Sequence, residues 1–249
     1  MPWQAVDTIP FHIGAGVAPG RAAAIRDALL RRAVPLSRLV DGRLEPLATA
    51  SLVTDGPYHA VLTAAHIFEH VNVGDLVIPL PRDQRLLLLR STRVRVAAHP
   101  RHDVALLWIA DRAISERLGS NWTACPLRQW CGDAVNPVAR CYAIAGYPAA
   151  NARRADGCIY VKPVVLFTGA LDRGRYAYAR TASRVDGLEI HTPPLDGVSG
   201  ATVWAVEPER GDDVACVLRP TAIQVAFHHG LHLCGEPIGG ATDLLARRH

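Results

Sequence analysis

One early stretch of the chain carries apolar residues at helical spacing. Between residues 20 and 33 (GRAAAIRDALLRRA), arginines occupy much of one face, and the other face carries Ala22, Ile25, Leu29 and Leu30. Pro35 follows and interrupts the pattern. The spacing predicts an amphipathic helix over about residues 20–33.

After this helix the pattern changes to short apolar runs that are bounded by Pro, Gly or Asp. The segment ASLVTDGPYHAVLT contains two runs around a turn signal, which is typical of a hairpin. Further runs are DLVIPL, RLLLLRSTRVRVAA, DVALLWIA, CYAIAGYP, CIYVKPVVLFTGAL, LEIHTPP, ATVWAVE and AIQVAFHHG. Many short strands with regular turns predict an all-β chain. Residues 111–137 lack this alternation and are interpreted as a linker between two halves.

Composition supports a globular protein with many short elements. The chain has 249 residues, enough for one large or two small domains, and 49% of them are apolar. The 20 glycines and 18 prolines agree with frequent turns. The net charge is only +4, and the arginines are scattered without a basic stripe interleaved with aromatics. Nucleic acid is therefore not a predicted partner.

The sequence has neither an export signal nor a membrane span. The start, MPWQAVDTIPFHIGAGVAPG, lacks a basic segment followed by an apolar one, and no run of 18 apolar residues occurs. The six cysteines are without C-x-x-C spacing, which favours free buried thiols over a disulfide framework. They are Cys125, Cys131, Cys141, Cys158, Cys216 and Cys234. We predict a cytoplasmic protein without membrane contact.

Three polar residues stand in contexts that suit nucleophilic catalysis. Ser199 lies between two glycines in PPLDGVSGATVW, His66 ends an apolar run in VLTAAHIFEH, and Asp103 precedes one in HPRHDVALLWIA. A serine nucleophile needs an imidazole base, a carboxylate that orients the base, and donors for the oxyanion. Taken singly, each residue is better explained without catalysis, as a turn serine, a surface or core histidine, or a solvated capping acid.

Taken together, TAAH, DVALL and G-x-S-G, in this order, resemble the chymotrypsin-like (trypsin-like) serine peptidases, in an intracellular bacterial form. AIAGYP resembles the strand that opens the family's second barrel, and AIQVAFHHG resembles the strand beside its specificity pocket. The resemblance covers about residues 44–232. It implies two packed six-stranded antiparallel β-barrels, the first over residues 44–125 and the second over 126–249. Residues 1–43 would be an N-terminal extension with the added helix.

The resemblance also implies roles for the three residues. Ser199 would attack the peptide carbonyl, His66 would carry the proton, and Asp103 would orient the imidazole. The backbone N–H groups of Gly197 and Ser199 would form the oxyanion hole. A protein or peptide substrate would bind as an extended strand against residues 228–230.

Further positions bear on how the substrate would be recognised. The expected substrate-binding residues are Pro193, Asp196, His228, His229 and Gly230. Pro193 occupies the pocket-floor position, where an acid would select Arg or Lys, so we expect small or apolar side chains there. Glu189 or Asp196 remains as another source of charge.

Three positions depart from the secreted members of the family. Val198 stands where they carry the aspartate that receives the new N-terminus on activation, so that ion pair is not expected. Ile67 replaces a disulfide cysteine, and Ala201 replaces the second glycine after the serine. With no zymogen device visible, the expected restraint is narrow specificity, a disordered pocket that awaits a partner, or a dedicated regulatory protein. The helix over residues 20–33 is one surface for such a partner, and plain packing on the barrel is the other interpretation.

Two rival motifs are present. HIFEH matches the inverted zinc-peptidase motif H-x-x-E-H, which needs a helix that puts His66 and His70 on one face, but Gly74 and its neighbours end any helix at once. GVSGA approximates the α/β-hydrolase elbow, yet the following TVWAVE predicts a strand where that fold has a helix. The histidines of HHGLH offer ligands for a metal, and the favoured interpretation is that they are surface or pocket-rim residues.

The sequence thus predicts a hydrolase, a serine endopeptidase that acts through an acyl-enzyme and requires neither cofactor nor metal. Its target is expected to be a single protein in a bacterial signalling or defence module. The alternative is a catalytically silent, peptidase-like domain that binds a partner protein.

Overall fold

The fold is taken from a computed structural model of the chain. It describes residues 3–5, 11–13, 17–56, 58–127, 141–155, 158–172, 174–178, 181–185, 188–209, 215–228 and 232–246. No helix in these ranges is long and apolar enough to cross a membrane.

Strands dominate the described residues. In chain order they are β1 (Trp3–Ala5), β2 (Phe11–Ile13), β3 (Ala33–Val40), β4 (Arg43–Asp55), β5 (Tyr58–Thr63), β6 (Leu76–Leu80), β7 (Arg85–Leu88), β8 (Val94–Ala98), β9 (Ala105–Ile109), β10 (Cys125–Pro126), β11 (Tyr142–Gly146), β12 (Ala152–Ala155), β13 (Cys158–Val161), β14 (Val164–Thr168), β15 (Ala170–Asp172), β16 (Arg175–Ala177), β17 (Thr181–Val185), β18 (Leu188–His191), β19 (Thr202–Pro208), β20 (Cys216–His228) and β21 (His232–Pro237).

The helices are few and short. They are α1 (Pro19–Leu30), α2 (Arg112–Asn121) and α3 (Gly239–Ala246), with single 3₁₀ turns at Ala65–Glu69, Val73–Asp75, Leu89–Ser91 and Ala149–Asn151. A proline in the first turn of α1 suits a helix start, because its missing N–H would have no partner there. The Asp111 side chain caps α2 by accepting from the N–H of Ile114.

Two curled sheets hold most of the strands. The first sheet has the order β7-β6-β3-β4-β5-β9-β8, with β10 paired to β4. The second sheet has the order β15-β16-β21-β20-β19-β11-β14-β2. Smaller sheets are formed by β1, β13 and β12, and by β17 with β18.

One hydrophobic core runs across both halves of the chain. Its buried members include Leu52, Leu62 and Leu106 from the first sheet, together with Phe167 and Trp204 from the second. A second core, with Ile144, Leu166, Val198 and Val203 among its members, fills the interior of the second sheet alone. The shared core is what holds the two sheets in one arrangement.

The prediction of a mostly β chain with few helices is confirmed. Several boundaries differ from expectation. The helix ends at Leu30 because Ala33 already begins β3. The sequence predicts residues 1–43 as an N-terminal extension, whereas β3 pairs with β4 in the first sheet. Elsewhere in that extension, β1 and β2 pair with β13 and β14 of the second half.

The predicted linker also contains regular structure. Within residues 111–127, α2 packs against β5, β6 and β9, and β10 pairs with β4. The expected alternation is missing because an amphipathic helix, not an open connection, occupies this stretch. Residues 128–137 lie outside the described residues.

Candidate active site

His66 and Asp103 lie together at one end of the first sheet. Strands β5 and β9 pair antiparallel, with Thr63 opposite Ala105, so the residues just after β5 lie beside those just before β9. His66 is in the 3₁₀ turn after β5, and Asp103 comes two residues before β9. The sheet register therefore brings these two residues together.

The Asp103 carboxylate holds the His66 residue at two points. Oδ2 of Asp103 is 2.6 Å from Nδ1 of the ring, and Oδ1 accepts from the His66 backbone N–H at 2.8 Å. A carboxylate acceptor at Nδ1 fixes the tautomer in which Nδ1 carries the hydrogen. The other nitrogen, Nε2, is then left as a base.

The pairing changes the acidity of both groups. The hydrogen bond to Asp103 raises the pKa of His66 above its ordinary value of 6.5, although partial burial acts in the opposite direction. Burial alone would raise the pKa of Asp103, but hydrogen bonds from the His66 ring and backbone outweigh it and hold that pKa below its ordinary value. Asp103 is thus an anion that stabilises a protonated His66.

Ser199 lies in a loop with two successive turns, at residues 196–197 and 199–200, directly before β19. Gly197 and Gly200 have φ values of +92° and +91°, a region that residues with a Cβ rarely adopt. The N–H of Val198 donates to Leu195 O, and the N–H of Gly200 donates to Gln224 O on β20. These bonds and the two glycines present Ser199 at the apex of the loop.

The loop is bonded to the first sheet through Thr49. The N–H of Thr49 donates to Ser199 O at 2.9 Å, and its hydroxyl donates to Gly197 O at 2.8 Å. A Cβ at Gly200 would lie 2.1 Å from Thr49 O and 3.1 Å from the N of Ala64. The Ser199 loop is therefore packed against the segment that carries His66 two residues beyond Ala64.

The three candidate residues are brought into one region, but only two of them are hydrogen-bonded to each other. The Ser199 hydroxyl has the carbonyl of Val225, on β20, as its acceptor at 3.4 Å. Among the hydrogen bonds of the described residues, none joins Ser199 to His66. A bond of 3.4 Å is at the weak end for a hydroxyl donor, so little opposes rotation of this side chain.

Two backbone N–H groups beside Ser199, those of Gly197 and Ser199, are the predicted donors of an oxyanion hole. The Asp196 carbonyl accepts from the N–H of Ala149 at 2.7 Å, which orients the peptide that also carries the Gly197 N–H. Because C=O and N–H point to opposite sides of a trans peptide, the Gly197 N–H points away from Ala149. Within the described part of the chain, no backbone acceptor is bonded to the N–H of Gly197 or of Ser199.

The positions that differ from the secreted peptidases are filled by apolar packing. Val198 is fully buried in the second core, and its Cγ1 would be 2.8 Å from a Cβ at Gly146. Ala201 is also fully buried. A valine in this position accepts no ammonium group, so the loop conformation does not depend on such an ion pair.

The predicted substrate-binding residues are only partly described. Pro193 is half-buried, whereas Asp196 and His228 are exposed. His229 and Gly230 lie outside the described residues, as does the side chain of Glu189. Among the described residues, one group of side chains could hold a metal ion: His228, His232 and Cys234.

Sequence reasoning missed Thr49. It is fully buried in β4, and besides its bonds to the Ser199 loop its hydroxyl accepts from the N–H of Tyr147 at 2.9 Å. Its carbonyl accepts from the Thr63 hydroxyl. A threonine in the run LATASLV looks like any strand residue, so no local signal marks it.

Both rival motifs are contradicted by the geometry. The H-x-x-E-H stretch forms only a five-residue 3₁₀ turn, Ala65–Glu69, and the His66 ring is bonded to Asp103. Among the described residues, no candidate metal-binding group includes His66 or His70. Ser199 is followed by β19, not by the helix that the α/β-hydrolase elbow requires.

Comparison with known proteins gave no family. No family model matches the chain, and no curated protein matches it. Similar solved structures include the scabies mite inactivated protease paralogue S-I1, at 11% identity and a TM-score of 0.48, covering 94% of this chain and 97% of that one. Another is a chain from work on the coupled folding and binding of the intrinsically disordered Sesbania mosaic virus VPg protein, at 13% identity and a TM-score of 0.48, covering 86% and 90%.

Proposed function

We propose that the chain is a serine endopeptidase that works through a Ser199–His66–Asp103 triad and an acyl-enzyme. The observation that carries this proposal is the pair of hydrogen bonds that Asp103 accepts from the ring and the backbone N–H of His66. The glycine-flanked loop of Ser199 is hydrogen-bonded to the same sheet through Thr49. A surface histidine or a capping acid would not need that arrangement. We further propose that six strands of each curled sheet form one of the family's two six-stranded barrels and that the other strands are additions to them.

The chemistry follows from the tautomer of His66. Nε2 accepts the proton as Ser199 Oγ bonds to the substrate carbonyl carbon, and the imidazolium that forms is stabilised by Asp103. The oxyanion receives hydrogen bonds from the N–H groups of Gly197 and Ser199. The intermediate then loses the amine, which takes the proton from His66. Water, deprotonated by His66, then attacks the acyl carbon; the bond from that carbon to Ser199 Oγ breaks, His66 returns the proton to Ser199 Oγ, and the acid is released.

Ser199 must change its hydrogen bond before it reacts. Rotation about its Cα–Cβ bond exchanges the Val225 carbonyl for Nε2 of His66, at the cost of one weak contact. In proteins of this chemistry, catalytic hydrogen bonds often tighten only when substrate is bound. We therefore place the reactive geometry in the substrate complex.

We propose that the substrate is a protein segment bound as an added strand along the end of β20. His228, with His229 and Gly230, would border it, and Pro193 would leave the pocket without a charge for Arg or Lys. Small or apolar side chains should be preferred before the cut bond. A peptide library in which cleavage after Arg or Lys dominates would contradict this preference.

We also propose a cytoplasmic enzyme with one protein target in a bacterial signalling or defence module. The support is the buried Val198, which cannot form the activation ion pair of the secreted peptidases. Brisk and unselective degradation of casein would contradict it.

The test is covalent labelling of the whole chain with a fluorophosphonate probe. We expect label on Ser199 alone, none in Ser199→Ala, and a rate about 10⁴-fold or more lower in His66→Ala. Ser120→Ala, which removes an exposed hydroxyl on α2, is the matched control and should label normally. A folded chain that the probe does not label would contradict the proposal that the protein is a serine endopeptidase.

A specific observation favours a second candidate function, a catalytically silent module that binds a partner protein. The Ser199 hydroxyl is bonded to Val225 and not to His66 in the described structure. This candidate predicts a stable complex with a partner and no reaction with the probe, so the same labelling experiment separates the two.

A further inference from the structure

The hairpin of β20 and β21 carries three metal-ligating side chains on one face. His228 and His232 are directly opposite each other across the two strands, with ring centroids 4.7 Å apart. Cys234 follows His232 by two residues, and Leu233 between them is fully buried in the second core. Because side chains alternate along a strand, His232 and Cys234 both point to the outer face.

The distances suit a single metal ion. One ring nitrogen from each histidine and the Cys234 sulfur all lie within 4.8 Å of one another. In a tetrahedral zinc site, bonds of about 2.0–2.3 Å place neighbouring ligand atoms roughly 3.3–3.8 Å apart. The three atoms need to approach by only about 1 Å, which rotation of exposed or half-buried side chains allows.

The ligand types select the ion. Two imidazoles and a thiol suit Zn²⁺, whereas Ca²⁺ and Mg²⁺ take oxygen ligands. Within the described part of the chain, no hydrogen bond or ion pair engages these three side chains, so none must be broken. The charged neighbours are Arg175, opposite Cys234 on β16, and Asp172, and these two are bonded to each other. Arg175 therefore adds little net repulsion of a cation.

We propose that His228, His232 and Cys234 bind one Zn²⁺ on the outer face of this hairpin, with the fourth position open to solvent. Binding replaces the Cys234 S–H proton with the metal and releases that proton to solvent, while both histidines bind in the neutral form. Acid should therefore weaken the site. The ion would lie on the strand that also carries Val225, but its binding does not rest on the proposed peptidase activity.

The experiment is a titration of the full, chelator-treated chain with Co²⁺ and Zn²⁺. We expect one Co²⁺ per chain, a thiolate-to-cobalt charge-transfer absorption, and displacement of Co²⁺ by Zn²⁺ at micromolar or lower concentration. Zinc should also protect Cys234 from a thiol reagent, as read by peptide mapping. Both measurements use the chain without any substitution, so a failure of a variant to fold cannot affect them.

Variants locate the site. Cys234→Ser should abolish the charge-transfer band, and His232→Gln should weaken Zn²⁺ binding at least tenfold. Cys216→Ser, on β20 away from the cluster, and His70→Gln should leave both unchanged. The proposal is overturned if no thiolate band forms, if the band survives in Cys234→Ser, or if zinc binds only at millimolar concentration. Failure of the probe to label Ser199 would leave this result untouched.

Discussion

At the scale of single residues, the ionisation of His66 decides when the proposed site is reactive. The base must be neutral to accept a proton from Ser199, and the hydrogen bond to Asp103 raises the pKa of His66 above 6.5. Raising this pKa favours the protonated form, so the neutral form dominates only at pH values above the raised pKa. Reactivity is therefore expected to be lost on mild acidification.

The corresponding prediction concerns Asp103→Asn. In the unmodified chain, the probe-labelling rate at Ser199 should fall with decreasing pH, with a midpoint above 6.5. The variant should shift that midpoint downward, because the anion that stabilises the imidazolium is gone, and should label about 10⁴-fold more slowly. The measurement is the labelling rate across the range in which histidine titrates. An unmoved midpoint would show that Asp103 does not act on His66.

Thr49 is a positioning residue at the same scale. Its side chain connects the N–H of Tyr147, which is buried, to the carbonyl of Gly197, which is half-buried. Removing the hydroxyl leaves a buried donor and a half-buried acceptor without this partner and releases the peptide that follows the Gly197 N–H.

We expect Thr49→Val, which keeps the shape, to lower the unfolding free energy by about 1–3 kcal/mol. It should also slow labelling of Ser199 by about 10–100-fold. Thr49→Ser keeps the hydroxyl and should restore the labelling rate, even though its lost methyl group costs some stability. Urea denaturation gives the first quantity, and labelling of the folded variants gives the second. If the two variants label equally fast, the hydroxyl has only a structural role.

At the scale of elements, the Ser199 loop depends on its close approach to β4 and β5. A Cβ at Gly200 would lie 2.1 Å from both Thr49 O and Thr63 Oγ1, and φ is +91° there. Backbone and a fully buried hydroxyl cannot move aside, as the end of a flexible side chain would. A side chain at position 200 would therefore suffer both backbone strain from the positive φ and steric overlap with Thr49 and Thr63.

Gly200→Ala should accordingly lower the unfolding free energy by about 3 kcal/mol or more and abolish labelling of Ser199. Gly20→Ala is the matched control, because it lies in α1 with nothing within 4 Å of its added Cβ and should change stability by less than about 1 kcal/mol. Thermal and urea unfolding measure both. A Gly200→Ala chain as stable as the control would rule out the tight docking of this loop.

The helix α1 has a structural explanation at this scale. Ala22, Ile25 and Leu29 are buried, and the helix packs against β3 and β11. Its apolar stripe was visible in the sequence because helical periodicity is a local property. Its packing against β11 was not, since that strand lies far from the helix along the chain.

At the scale of the whole molecule, the two sheets share one core and buried polar contacts. The hydroxyls of Ser51 and Thr202 are 2.8 Å apart, both buried, and Thr49 is bonded to Ser199 nearby. Separating the sheets would expose apolar surface from both and leave these groups unpaired. The halves should therefore not unfold independently.

We predict a single unfolding transition in urea for the full chain. Far-UV circular dichroism should coincide with fluorescence from buried tryptophans, which lie in both halves (Trp108 and Trp122 in the first, Trp204 in the second). Trp204→Phe, which removes the buried tryptophan that the structure describes in the second half, should leave the midpoints of the two probes coincident. Two separate transitions would mean that the shared core does not couple the sheets.

The candidate residues could be chosen from sequence because their contexts are local. An apolar run before His66, an apolar run after Asp103 and glycines around Ser199 are all readable within about ten residues. The pairing of His66 with Asp103 then follows from the register of β5 and β9, which the sequence only suggests. The boundary between the N-terminal extension and the first sheet was harder to predict from sequence. It depends on the pairing of β3 with β4 and β6, which no local pattern shows.

By itself, the sequence determined the β-rich class, the amphipathic helix and the three candidate catalytic residues, since periodicity, turn chemistry and residue type are properties of short segments. Only the tertiary structure decided that Thr49 bonds to Gly197 across 148 positions and that His228, His232 and Cys234 share one face. Strand pairing over such separations is set by register and by burial of a common core, and neither is recorded in any local pattern.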